Sequence, residues 1–253
     1  MSKEKQIIEN LIQFSQKTYE ESLGNVEFTN NKIINQGLCD IKNKPYLFVL
    51  ACVMDRQIPA ERAWSIPHIL CEHFHILNFS QLTLLTKQDI INYFQEANLH
   101  RFNSDLGECF YEAVQRIKII YNGDASKIWS NNPSSAAVVY RFLCFKGVGI
   151  KIATMAANIL SRGFRINFSD MSAIDISPDT HVCRVLYRLG LIENEDRVAA
   201  IYKAKEINPS FPGLIDLACW KIGRNFCHST NPECAKCQLN AGCAYYVNKS
   251  QNL

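Results

Sequence analysis

Apolar residues recur at helical spacing along nearly the whole chain. Ile7, Ile8, Leu11 and Ile12 form one stripe near the start. The run "PYLFVLACVMD" (45–55) is apolar almost throughout, and its length and context favour a buried helix over a strand. In "PAERAWSIPHILCEHF" (59–74), Pro59 suits a first helical turn, and Pro67 is expected to kink or divide the helix. Thr86 with Asp89 forms a capping pattern ahead of "IINYF". "DLGECFYEAVQRIKIIY" (105–121) reads as a long amphipathic helix that "NGD" ends. Asn132-Pro133 breaks the chain, and Ser134 or Ser135 is placed to cap a helix through Phe142. Pro178 precedes "DTHVCRVLYRL", which Gly190 stops. Glu193–Lys205 and Leu214–Phe226 are two further expected helices. Alternating strand patterns are scarce, so the expected class is all-α. The longest stretch without helical period, "RGFRINFSDMSAIDIS" (162–177), is the expected boundary between two lobes.

With 253 residues the chain can form one large domain or two small ones, with a core that needs no staples. Hydrophobic residues make up 47% and charged residues 20%, as in ordinary soluble domains. A net charge of +3 neither demands nor forbids a nucleic-acid partner. The N-terminal sixteen residues lack the continuous apolar core of a signal peptide, and no stretch approaches a membrane span, so a cytoplasmic location is expected. In a reducing compartment, clustered cysteines point to metal rather than disulfides. Of eleven cysteines, seven are scattered: Cys39, Cys52, Cys71, Cys109, Cys144, Cys183 and Cys219. These are expected to be small core hydrophobes. The other four lie in "CHSTNPECAKCQLNAGC", at 227, 234, 237 and 243, separated by six, two and five residues. Four thiolates suit zinc or an iron–sulfur cluster, and spacing alone does not choose between them.

One further stretch carries candidate chemistry. In "LCFKGVGIKIATMAANIL" (143–160), a single lysine, Lys151, follows a Gly-Val-Gly turn within an otherwise apolar run. The turn serves either as a plain helix connection or as a helix–hairpin–helix, whose backbone N–H groups and following helix start bind a phosphate. On a helical projection Lys151 shares a face with Thr154, Met155 and Asn158. Taken alone, that placement describes a solvated lysine. Further on, Asp179 in "SPDTHVCRVLYRLGL" opens a helix, where it can cap and where a carboxylate is favoured.

The six–two–five cysteine spacing resembles the 4Fe–4S loop of the endonuclease III family of DNA glycosylases. "FKGVGIKIATMA" resembles that family's Leu-Pro-Gly-Val-Gly-x-Lys-x-Ala pattern, with Phe145-Lys146 in place of Leu-Pro. "PDTHVCRV" resembles its catalytic Val-Asp-Thr-His-x-x-Arg-Val, with Pro178 in the valine position. The three matches occur in the family's order between Tyr140 and Cys243. Two segments depart from the pattern. "HSTNPE", between the first two cysteines, has no basic residue, and Asp55-Arg56 replaces small residues.

The resemblance implies an all-α, bilobed helix–hairpin–helix glycosylase fold. A six-helix barrel would span 40–165, with the hairpin at 140–160, and residues 1–39 and 166–253 would form the iron–sulfur domain. It implies that Cys227, Cys234, Cys237 and Cys243 hold a 4Fe–4S cluster, and that DNA lies across the cleft with Lys151 and Asp179 facing inward. Lys151 would attack the anomeric carbon, and Asp179 would stabilise the positive charge that builds on the sugar. Gly147, Val148 and Gly149 would meet phosphate, with Lys146 adding a contact. Gln57 would plug the stack left by the everted base, with Arg56 beside it and Leu99 as a second wedge. His181 and Arg184 would support Asp179 or contact phosphate, with a purely structural role the equal alternative for both. The expected function is base-excision DNA repair by a bifunctional glycosylase and apurinic/apyrimidinic lyase. Its partner would be double-stranded DNA with a damaged or modified base, and the protein a monomer associated with the nucleoid. The alternatives are a monofunctional adenine- or mismatched-thymine-type glycosylase, a non-catalytic lesion binder and a structural zinc protein.

Overall fold

The computed structural model describes residues 2–251, and these contain thirteen α-helices and no strand. In chain order the helices are α1 (Lys3–Glu21), α2 (Lys32–Cys39), α3 (Pro45–Met54), α4 (Ala60–His73), α5 (Phe79–Leu82), α6 (Lys87–Glu96) and α7 (Asn103–Ile120). They continue with α8 (Ser135–Leu143), α9 (Ile150–Arg162), α10 (Thr180–Leu189), α11 (Arg197–Ile207), α12 (Asp216–Asn225) and α13 (Ala244–Gln251). Short 3-10 turns sit at Ala125–Ile128, Pro212–Ile215 and Cys234–Lys236. The chain forms two compact units. One comprises Asn25–Pro133 and Ala137–Ala156; the other comprises Met1–Gly24, Ser134–Ala136 and Ala157–Leu253.

The first unit is built around α3. All ten of its residues are buried, and it packs against α4, α7 and α2. A helix that is apolar all round must be enclosed on every side, and Pro45 at its start removes an N–H that has no helical partner anyway. The packing of α2 on α3 and α4 accounts for a unit that begins at residue 25, upstream of the expected residue 40. Pro67 does not divide α4. Trp64, Ile66, Pro67 and Leu70 are all buried, and this burial outweighs the lost backbone hydrogen bond. At α6 the Thr86 hydroxyl accepts from the Asp89 N–H at 3.2 Å, and the Asp89 carboxylate accepts from the Thr86 N–H at 2.9 Å, a complete capping box.

The second unit has its own core. Ile7 and Leu11 of α1 meet Val182, Val185, Leu186 and Leu189 of α10, with Ala200 and Ala204 of α11 and Ile222 of α12. Helix α11 starts at Arg197 rather than Glu193, because the Asp196 carboxylate caps it by accepting from the Ala199 N–H at 2.7 Å. Helix α12 starts at Asp216 rather than Leu214, after the turn that Pro212 opens. Ser135 is the first residue of α8, and its hydroxyl donates to Asp170 at 2.7 Å. That bond helps pin the irregular segment between α9 and α10. The Gly213 N–H donates to the Ile174 carbonyl at 2.6 Å, and the Ser177 N–H donates to Asp216 at 2.8 Å. Among the described residues no helix is long and apolar enough to cross a membrane.

Four of the seven scattered cysteines, Cys52, Cys109, Cys183 and Cys219, are buried. Cys71 and Cys144 are only half-buried. Cys39 is exposed at the end of α2, its Sγ 3.6 Å from the Val26 carbonyl, so the core-hydrophobe expectation does not hold for it.

Candidate nucleic-acid and catalytic site

Helix α8 ends at Leu143 and α9 begins at Ile150, so the glycine turn forms a tight helical hairpin. Phe145 anchors it. Its ring is 2% exposed, beside Phe142 and Tyr121, and the Val148 N–H returns to its carbonyl at 3.1 Å. Gly147 has φ +84°, and a Cβ there would lie 2.9 Å from the Cys109 Sγ. Only glycine fits both constraints. Gly149 is the opposite case: a Cβ there would meet nothing within 4 Å. Its surface faces open space where the first N–H groups of α9 have no intrahelical partner. Lys146 is exposed, and its ammonium sits 3.0 Å from Glu108, which also binds Lys87.

Lys151 lies in the first turn of α9, its side chain 44% exposed. The face on which the sequence places it is not a solvated one. Thr154 is fully buried and Asn158 is 4% exposed, with the Asn158 amide donating to the Gly213 carbonyl at 3.0 Å. The Lys151 ammonium lies 3.8 Å from the Asp55 carboxylate, whose side chain is only 9% exposed. Asp55 terminates α3 and leads into the turn that carries Arg56 and Gln57. Both of those residues are exposed, and Gln57 adopts a left-handed backbone, φ 57°. The Arg56 guanidinium approaches the hairpin, 3.7 Å from where a Gly147 Cβ would stand. Leu99 is 6% exposed, so its side chain is a core contact rather than a projecting wedge. Its carbonyl accepts from Arg62 Nε at 3.0 Å.

Asp179 belongs to the other unit. It caps α10, one carboxylate oxygen accepting from the His181 and Val182 N–H groups at 2.8 and 2.9 Å. Its own N–H donates to the Ser177 carbonyl at 2.6 Å, and Asp216 holds the Ser177 N–H. Asp216 is partly accessible and its carboxyl is pushed up to about 7. Burial dominates, opposed by the Ser177 N–H; the nearby Asp179 charge adds to the rise and Arg162 opposes it. His181 packs close against α12: a Cβ at Gly223 would lie 2.7 Å from the His181 Cβ.

Arg184 is 8% exposed and all three of its nitrogens have partners. Nε donates to the Cys227 carbonyl at 2.7 Å, Nη1 to Thr180 and Nη2 to Gly223, with the His181 ring 3.0 Å away. That is a cross-brace, and it leaves no nitrogen for the expected phosphate contact.

The four cysteines are half-buried around the 234–236 turn and the start of α13, and three of them pack on the second unit's core. Cys237 lies within electrostatic reach of the other three, and Cys243 within reach of Cys227 and Cys234. Burial raises the thiols of Cys237 and Cys243. Arg188 donates to the Cys227 sulfur at 3.4 Å and to the His228 and Ser229 carbonyls, and stacks on Tyr245. Among the described residues no three ligating side chains gather tightly enough for a single metal ion. Four thiols in one loop are a donor set that suits either zinc or an iron–sulfur cluster.

Asp55, Asp216 and Arg188 were not among the sequence candidates. For Asp216 the available signal was a lone acid inside an apolar run, "LIDLA"; Asp55 only closes one, "LACVMD", which does not show what it meets.

The fold has solved counterparts. A trapped covalent complex of endonuclease III with DNA, in its estranged-adenine form, is 17% identical, covering 99% of this chain and 100% of that one at a TM-score of 0.64. A non-covalent endonuclease III–DNA complex is 16% identical, covering 99% and 100% at 0.65. A thermostable thymine-DNA glycosylase is 16% identical, covering 97% of each chain at 0.61. No family model and no curated protein matches the sequence. The likeness is therefore one of fold: the chain has the all-α architecture of these endonuclease III and thymine-DNA glycosylase structures.

Proposed function

We propose that the protein is a base-excision repair DNA glycosylase with apurinic/apyrimidinic lyase activity. The observation that carries this reading is Lys151: a half-exposed amine in the first turn after an open glycine hairpin, on a fold shared with an endonuclease III captured covalently on DNA. Lys151 attacks C1′ of an everted nucleotide, and the electrons of the glycosidic bond leave with the base. Asp179 balances the positive charge that develops on the sugar. The resulting Schiff base then permits elimination of the 3′ phosphate. Gly147, Val148, Gly149 and Lys146 hold the DNA backbone, and Gln57 with Arg56 fills the vacated stack. Cys227, Cys234, Cys237 and Cys243 hold a 4Fe–4S cluster whose role is structural.

A panel of duplexes carrying different damaged or modified bases tests the reading, with base release, strand nicking and borohydride trapping scored separately. A borohydride adduct that Lys151→Ala abolishes is the expected result. Base release with no adduct gives the monofunctional alternative, which the likeness to a thymine-DNA glycosylase favours. Binding to an abasic analogue without turnover of any duplex refutes both. Visible absorbance with matching iron and sulfide content tests the cluster, and bound zinc with no iron refutes it.

A further inference from the structure

We infer that Asp55 is the proton acceptor that turns Lys151 into a nucleophile, an inference that deepens the lyase reading above and rests on it. Lysine attacks only as a free amine, so some group must take its proton. Asp55 Oδ2 stands 3.8 Å from Lys151 Nζ, and the two side chains differ sharply in exposure, 9% against 44%. The carboxylate is thus already inside the protein, whereas the amine still meets water. Asp55 also stands at the C-terminal end of α3, where the last helix carbonyls place negative partial charge. A cation is favoured beside a carboxylate in that position, and the Lys151 ammonium is within reach of it. DNA lying on the hairpin removes the water around Lys151. An ion pair stripped of water favours the neutral form, amine beside carboxylic acid.

The turn that carries Asp55 is held from behind. The Arg56 N–H donates to the Met54 carbonyl at 2.7 Å, and the fully buried His100 ring faces the carbonyls of Met54 and Arg56. Its Nε2 makes no hydrogen bond of good geometry there. The ionisable groups near Asp55 include Lys151 on α9, Cys52 one turn back on α3 and the adjacent Arg56, with His100 behind the same turn.

On an abasic site the step balances without a further reactant. The ammonium passes one proton to Asp55, and the amine adds to the C1′ aldehyde to form a carbinolamine. The same proton returns to the carbinolamine hydroxyl, which leaves as water. The products are a protonated imine and the regenerated Asp55 carboxylate.

The experiment uses a duplex with a natural abasic site, so it does not depend on knowing the excised base. Borohydride trapping is timed across pH for the wild type, Asp55→Asn, Asp55→Glu and Lys151→Ala. Affinity for a tetrahydrofuran abasic duplex serves as the control for folding and binding. The expected result is a trapping rate for Asp55→Asn reduced about ten- to a hundred-fold at neutral pH with affinity kept. Its rate should climb with pH as solvent takes over the proton, and Asp55→Glu should restore part of the activity. Should Asp55→Asn fail to fold, Asp55→Ser is read in the same way. Trapping by either variant at the wild-type rate and with the wild-type pH profile overturns the inference while leaving the lyase reading intact. A wild type that binds the duplex but never traps overturns the lyase reading, and this inference with it.

Discussion

Two glycines separated by one residue should respond to the same substitution in opposite ways. Gly147→Ala places a side chain at φ +84° and sets its Cβ 2.9 Å from the Cys109 Sγ. The left-handed backbone alone costs roughly 1–2 kcal/mol for a residue with a Cβ. Cys109 is 4% exposed and has little room to retreat, so overpacking adds about 1–2 kcal/mol more. The expected loss is about 2–4 kcal/mol, a large part of the stability of an ordinary domain. Gly149→Ala meets no atom within 4 Å. It costs only about 0.5 kcal/mol, the difference between glycine and alanine where a helix begins. The methyl group does, however, stand on the open surface proposed to meet a phosphate.

Urea unfolding at a fixed pH reads the first effect, and affinity for an abasic-analogue duplex reads the second. Gly147→Ala should lower the urea midpoint markedly. Gly149→Ala should leave it nearly unchanged and weaken DNA binding several-fold. Cys109→Ala in the Gly147→Ala background should restore the steric part of the loss and leave the backbone part. A Gly147→Ala protein within 0.5 kcal/mol of wild type would refute the packing argument. A Gly149→Ala protein with wild-type affinity would refute the phosphate-binding role of the hairpin.

Asp179→Ala removes the cap from the His181 and Val182 N–H groups and should cost about 1 kcal/mol, whereas Asp179→Asn keeps the cap and most of the stability. Base release should be lost in both, and an Asn variant that releases base at the wild-type rate would remove Asp179 from the mechanism. Asp216 is pushed up to about 7 from 3.8, so the folded state binds its proton more tightly than the unfolded state does. Its stabilising contribution is full below pH 3.8 and is lost as pH rises through about 7. Urea midpoints should therefore fall less between pH 5 and 8 in Asp216→Asn than in the wild type, and equal slopes would contradict the assignment. Glu108→Gln releases Lys146 from its ion pair and should strengthen duplex binding at low salt, with the gain shrinking as salt is added.

Helical period and local chemistry made much of the fold legible. The capping box at Thr86 and Asp89, the buried run of α3 and the Asp179–Gly190 bounds of α10 all follow from interactions within a few residues. The misjudged features depend on contacts distant in the chain. Pro67 stays within α4 because its neighbours are buried, and Ser135 binds an aspartate 35 residues away. In sequence Arg184 reads equally as a support for Asp179, a phosphate contact or a structural residue; only the fold shows it bracing carbonyls up to 43 residues downstream. The Lys151–Asp55 pair is illegible for the same reason. Nothing local to "VMDRQ" announces that its acid meets an amine almost a hundred positions on.

Within the second unit, the cysteine loop and Asp179 are mechanically one object. Arg184 and Arg188 leave the same face of α10, one turn apart, and both grip the loop that starts at Cys227. The N-terminal end of that same helix is defined by Asp179, and Arg184 reaches back to Thr180 and His181 in its first turn. The Cys227 and His228 carbonyls hold the two arginines, and in the proposed cluster-bound form four thiolates would fix the loop that carries those carbonyls. The arginines in turn set the position of the turn that Asp179 caps. On the proposed reading, a cluster with no part in bond cleavage would act on catalysis by positioning: a loosened loop would cost the Asp179 carboxylate its placement before the rest of the core unfolds.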